Sequence, residues 1–146
     1  MKASSCAFWC LIGVLLTPRV QADTPGLRAH LRCERALGPG RIVCELTVRA
    51  LLGKLVWSDA LVVHAPLFAR PLRARFSAPL DASVGPTASA RFALVAAEPG
   101  RGTLDLLVRG VVCRAAAAGG SCSPEVAAVS TLVEVDPPSE PHAAVP

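Results

Sequence analysis

The stretch Leu27-Arg28-Ala29-His30-Leu31-Arg32-Cys33-Glu34-Arg35-Ala36-Leu37-Gly38-Pro39-Gly40-Arg41-Ile42-Val43-Cys44-Glu45-Leu46-Thr47-Val48-Arg49 decides the fold. Up to Glu34 it is apolar at odd positions and polar at even ones, and from Ile42 onward Ile42, Cys44, Leu46 and Val48 share one side. A period of two belongs to strands buried on one face. Leu37-Gly38-Pro39-Gly40 between them is a turn cluster. A hairpin centred between Gly38 and Pro39 sets Cys33 opposite Cys44 on the apolar face. The two Cα atoms would then lie about 4.5 to 5.5 Å apart, within the range a disulfide accepts.

The pattern continues downstream. Strand-like segments are expected at Lys54–Trp57, Ala60–Ala65, Leu72–Ser77, Ala90–Ala96, Thr103–Cys113 and Val126–Val135, separated by Pro, Gly, Asp and Ser. Seven to eight short strands without an amphipathic helix predict an all-β, immunoglobulin-like β-sandwich. Trp57, Phe68, Phe76 and Phe92 are expected to fill its core.

Upstream, Lys2, the apolar run Ala7–Leu16, Pro18 and the small-x-small site Val20-Gln21-Ala22 read as a cleaved signal peptide over residues 1–22. Its apolar core is too short to cross a bilayer of about 30 Å, and no later stretch reads as a transmembrane segment. The Leu-Ala-Gly type of tripeptide that precedes a lipidated cysteine is absent before Cys6 and Cys10. An exported chain is therefore expected, periplasmic or extracellular, with a sandwich domain over 23–136 and a disordered, proline-rich tail over 137–146. Loss of Lys2 and Arg19 with the signal lowers the net charge from +4 to about +2. A nucleic-acid partner is not expected at that charge. The basic residues gather early: nine lie from Arg28 to Arg75 against Glu34, Glu45 and Asp59. Arginines on the outer faces of strands are expected to be solvated bystanders, although such a gradient can steer an anionic partner.

Four cysteines remain outside the signal: Cys33, Cys44, Cys113 and Cys122. Two disulfides are expected in an oxidising compartment, Cys33–Cys44 and then Cys113–Cys122. A competing pairing is Cys44 with Cys113, which with Trp57 gives the Cys…Trp…Cys order of immunoglobulin domains. Val111 replaces the corner tyrosine, however, and parity places Cys113 on the side of Asp105 and Arg109, away from the core. The spacings do not fit structural zinc knuckles, and there is neither Cys-x-x-Cys nor His-Glu-x-x-His. No metal or cofactor is expected. His30 and His64 read as surface or edge residues, and Ser58-Asp59 with His64 lacks the nucleophile elbow of a hydrolase.

The segment RFALVAAEPGRGTLDLLVRGVVCRAAAAGGSCSPEVAAVSTLVEV, residues 91–135, resembles the last strands of the periplasmic N-terminal domain of DsbD-type thiol–disulfide interchange proteins. The matching positions are Cys113, Gly120, Cys122 and Pro124, followed by Val126–Val135. The resemblance implies an immunoglobulin-like sandwich whose final hairpin holds a redox pair, Cys113 and Cys122, exchanging with a thioredoxin-like partner. The sequence departs from that pattern in its longer inter-cysteine loop, in Ser123 where the family has an aromatic, and in the hairpin from Leu27 to Cys44. No thioredoxin-like region follows, so exchange would take place with a separate protein. Two roles follow. The first is a non-enzymatic binding or structural domain of the cell envelope, partnered by another envelope protein and stapled by both bonds. The alternative is a thiol–disulfide exchange module using Cys113 and Cys122, which requires an exposed, activated thiolate.

Overall fold

The structure, a computed structural model, describes residues 26–78, 87–115 and 120–138. The expected signal peptide, residues 1–22, and all but the first two residues of the expected proline-rich tail lie outside the described residues.

Eight strands follow in order: β1 Leu27–Cys33, β2 Gly40–Ala50, β3 Lys54–His64, β4 Ala69–Pro71, β5 Arg75–Ser77, β6 Thr87–Ala96, β7 Gly100–Arg114 and β8 Ser121–Val135. They form two four-stranded sheets, a first of order β1-β2-β6-β4 and a second of order β5-β3-β7-β8. Every strand pair is antiparallel. The expected all-β, two-sheet architecture is the one found.

The alternation read from the sequence sets which face is buried. Ile42, Cys44, Leu46 and Val48 of β2 and Leu94 of β6 are fully buried, as are Leu55 of β3 and Leu104, Leu106, Val108 and Val112 of β7. Each large side chain so removed from water contributes about 1.5 to 3 kcal/mol. Phe92 belongs to this core, and Phe68 and Phe76 pack against it; the Phe76 and Phe92 rings stack with centroids 4.5 Å apart.

Both expected disulfides are present. Cys33 pairs with Cys44 across β1 and β2 in the predicted register, and Cys113 pairs with Cys122 across β7 and β8. The Cα–Cα distance is 4.0 Å in each. The Cys44–Cys113 alternative does not occur, because Cys113 points to the outer side of its sheet, as parity required.

Several segment boundaries differ from expectation; β6, for one, begins at Thr87 and not at Ala90. Lys54–Trp57 and Ala60–Ala65 are one strand, β3, because Ser58 and Asp59 find partners and need not break it. Leu72–Ser77 holds only the short strand β5, Arg75–Ser77; its first residues, Leu72 to Ala74, cross from β4 in the first sheet to β5 in the second. Strand β7 begins three residues earlier, at Gly100, and β8 begins five residues earlier, at Ser121, so that it takes in Cys122 opposite Cys113.

Trp57 is the main correction. It lies on the outer face and is 43% exposed. The cause is a β-bulge: the β3–β7 register jumps between Leu55 and Trp57, so Val56 is an extra residue. One inserted residue reverses the facing of everything after it, and Trp57, in phase with Leu55 by simple alternation, turns outward while Ser58 turns in.

Candidate functional site

The outer face of the second sheet follows from that bulge. Trp57, Asp59 and Leu61 of β3 stand beside Val111, Arg109 and Leu107 of β7, and these stand beside Pro124, Val126 and Ala128 of β8. The pairing makes three rows: Trp57-Val111-Pro124, Asp59-Arg109-Val126 and Leu61-Leu107-Ala128. All but the middle row is apolar. Trp57, Leu61 and Val126 are exposed, and the polar row His64-Asp105-Ser130 bounds the apolar surface beyond Ala128.

At the centre sits a charge cluster of Asp59, Arg75 and Arg109. Asp59 is only 2% exposed although its side chain is on the outer side. Arg109 covers it from β7, donating from Nε to Oδ1 at 2.9 Å and from Nη2 to Oδ2. Arg75 closes the other flank from β5, its Nε 2.7 Å from Oδ2. Such charge-assisted, forked pairs are the strong ones. The hydrogen bonds from Arg109 hold the Asp59 carboxyl below its ordinary value, against burial, which pushes it up; Arg75 adds to the lowering.

Ser58 faces the opposite way, into the sandwich. It is 2% exposed, and its Oγ donates to the Ala78 carbonyl at 3.1 Å. Ser58 and Asp59 therefore lie on opposite faces of one strand, and His64 is exposed opposite Asp105 near the strand's far end. These three residues do not converge, so they make no hydrolytic site. His30 is exposed on the outer face of the first sheet. Among the described residues no three His, Cys, Asp or Glu side chains gather to hold a metal ion, and no helix is long and apolar enough to cross a membrane.

The two disulfides differ in setting. Cys44 is fully buried and Cys33 packs against the core. Cys122 is exposed and Cys113 half-buried, at the end of the outer face of the second sheet beyond Trp57, beside Lys54.

Sequence reasoning placed all four cysteines but missed Arg75, Arg109 and Asp59 as a unit, since the three come from separate strands. The signal available was an acidic residue inside an otherwise apolar strand.

Comparison of the chain with protein-family models and with curated proteins gave no match.

Proposed function

We propose that this chain is an exported, immunoglobulin-like β-sandwich that acts without catalysis as a binding domain of the cell envelope. The outer face of the second sheet, centred on Trp57, receives another envelope protein. The observation that carries this reading is Trp57 itself: a large amphipathic ring turned to solvent amid Leu61, Leu107, Val111 and Val126. Contiguous apolar surface of this kind marks interaction sites, and tryptophan dominates the energetics of protein interfaces where it occurs. The Asp59–Arg109–Arg75 cluster supplies rigid polar contacts within the apolar field.

A photo-crosslinking residue at position 57, introduced in the producing cell, is expected to give one discrete protein adduct that is lost on adding Val126→Asp. The same residue at Thr47, on the opposite sheet, is expected to give none. Equal adducts from both positions, or none from position 57, would overturn the reading.

A second reading, thiol exchange, draws on the exposure of Cys122. A reachable sulfur is the first requirement for attack by a partner thiolate. Titration with a mild reductant is then expected to open Cys113–Cys122 while Cys33–Cys44 survives. Cys113→Ser or Cys122→Ser is expected to trap a mixed disulfide with a thioredoxin-like protein. Selective opening without any trapped partner identifies the bond as a staple.

A further inference from the structure

The outer face of the first sheet is the chemical opposite of the second. Arg28 and Arg32 of β1, Arg41 and Arg49 of β2, Arg91 of β6 and Arg70 of β4 all stand on it and are exposed. Two carboxylates stand among them: Glu45, 4.0 Å from Arg91, and Glu34, which lines a depression with Arg32, Glu45 and Arg91. Among the described residues no other ion pair is made on this face. Arg41, Arg73 and Arg91 also line an open depression of about 490 Å³ floored by Phe76 and Phe92.

One end of this face carries a second feature. Gly40 of β2, Ala96 of β6 and Ala69 of β4 are in register there. At that end the β1–β2 turn presents Leu37, 79% exposed, and the β3–β4 turn presents Leu67, 106% exposed. These are the two most exposed large apolar side chains among the described residues. Leu67 is held outward: Pro66 before it is buried, Phe68 after it is half-buried, and Ala69 N donates to the Pro66 carbonyl at 2.9 Å. The Phe68 and Pro66 rings lie over Gly100 and Gly102 of β7, where a side chain would collide.

Next to the two leucines comes a row of arginines. Arg41 and Arg70 both pair with Val95, one on each side of it. Two strand spacings put their Cα atoms about 10 Å apart. Of the carboxylates at this end, Asp136 and Glu134 are engaged on the side of the second sheet, Arg35 binding Asp136 at 2.8 Å and Arg101 binding Glu134 at 3.0 Å, while Glu34 stands exposed on the arginine face beside Arg32. Glu98 remains exposed in the β6–β7 turn, between the sheets.

We propose that this end is a docking surface for an anionic lipid bilayer, independent of the protein-binding face. Leu37 and Leu67 enter the boundary between headgroups and acyl chains, while Arg41 and Arg70, backed by Arg32 and Arg91, meet the lipid phosphates. A soluble polyanion would use the arginines and leave the two solvent-facing leucines without a role; a bilayer uses both. Each basic residue held near an anionic surface is worth roughly a fivefold gain in partitioning, and the attraction fades with salt. The leucines add an apolar component that salt does not screen.

The test is sedimentation of the full chain with vesicles of phosphatidylglycerol and phosphatidylcholine, against vesicles of phosphatidylcholine alone. Binding is expected only to the first, falling at least tenfold between 50 mM and 500 mM NaCl. Arg41→Glu/Arg70→Glu is expected to lower it at least tenfold, and Leu37→Asp/Leu67→Asp severalfold or more. Leu52→Asp, at the opposite end and 65% exposed, is expected to change nothing. All of these positions are exposed, and an unchanged far-ultraviolet circular dichroism spectrum confirms folding. Equal binding to both vesicle types would overturn the proposal. So would leucine variants that bind as the parent does, which together with retention on heparin would assign the face to soluble polyanions.

Discussion

Asp59 keeps a negative charge out of water on the outer side of a sheet, and two arginines from neighbouring strands make that tolerable. Its carboxyl is lowered from an ordinary value of 3.8, first by the hydrogen bonds from Arg109. A group whose folded-state pKa is depressed stabilises the fold above its unfolded value and ceases to do so as pH falls through the folded one. The contribution of Asp59 is therefore complete above about pH 4 and is lost below it. Arg109→Met removes the largest cause and leaves burial to push the group up. Acid unfolding, followed by circular dichroism, is expected to begin at a higher pH in that variant, with a smaller displacement for Arg75→Met. Asp59→Asn is expected to abolish the displacement altogether when combined with Arg109→Met. The cluster was not legible in the sequence, because Asp59 reaches Arg75 and Arg109 across 16 and 50 residues and only strand pairing brings them together.

Hairpins were the most legible elements, since their registers are set locally. Cys33 and Cys44 stand equidistant from the turn, and the ladder from Leu27↔Ala50 to Cys33↔Cys44 keeps that symmetry throughout. Replacing both by alanine is expected to lower stability by about 2 to 4 kcal/mol in urea denaturation monitored by Trp57 fluorescence. Strand β3 was misjudged for a physical reason: a bulge adds a residue without any mark in composition. Deleting Val56 removes the extra residue and sets Trp57 directly after Leu55, so strict alternation keeps Trp57 outside and Ser58 inside in the same register. The expected outcome is that thermal unfolding stays cooperative and Trp57 stays accessible to acrylamide in the deletion variant; a shielded Trp57 would overturn the bulge. The β4–β5 segment was equally opaque, because three-residue strands carry too few side chains to show a period.

The whole molecule has an asymmetry that composition concealed. A net charge of +4 over 146 residues is unremarkable, yet the arginines of the first sheet cluster on its outer face while the second sheet turns Trp57, Leu61 and Val126 outward. Strand alternation sorts residues to faces, and the strand order then decides which faces adjoin. The sandwich class was readable from periodicity alone; which outer face would be wet was not. Parity put Asp105, Arg109 and Cys113 on one side, and that side was read as polar. Leu107 and Val111, on the same side, belong to a surface whose polar members neutralise one another. With Trp57 the one tryptophan among the described residues, the folded domain is expected to show Trp57 emission quenched readily by acrylamide, as for a partly exposed indole.

The positions of the two disulfides bear on how the fold would answer a pull. Tension applied along the chain would enter at Leu27 of β1 and leave at Val135 of β8, peeling each strand from its neighbour like a zip. In β1 the peeling front reaches Cys33, and in β8 it reaches Cys122; at both points the bond hands the tension to the adjoining strand. The intervening segments, bounded by cysteines 11 and 9 residues apart in sequence, would never feel it. Single-molecule stretching of the oxidised protein is expected to yield a contour length shorter than that of the reduced protein by roughly 60 Å, from the span of an extended chain. A domain knotted at both of its terminal hairpins in this way can be unravelled only in part, and what stays looped is the turn that carries Leu37 and the stretch between Cys113 and Cys122.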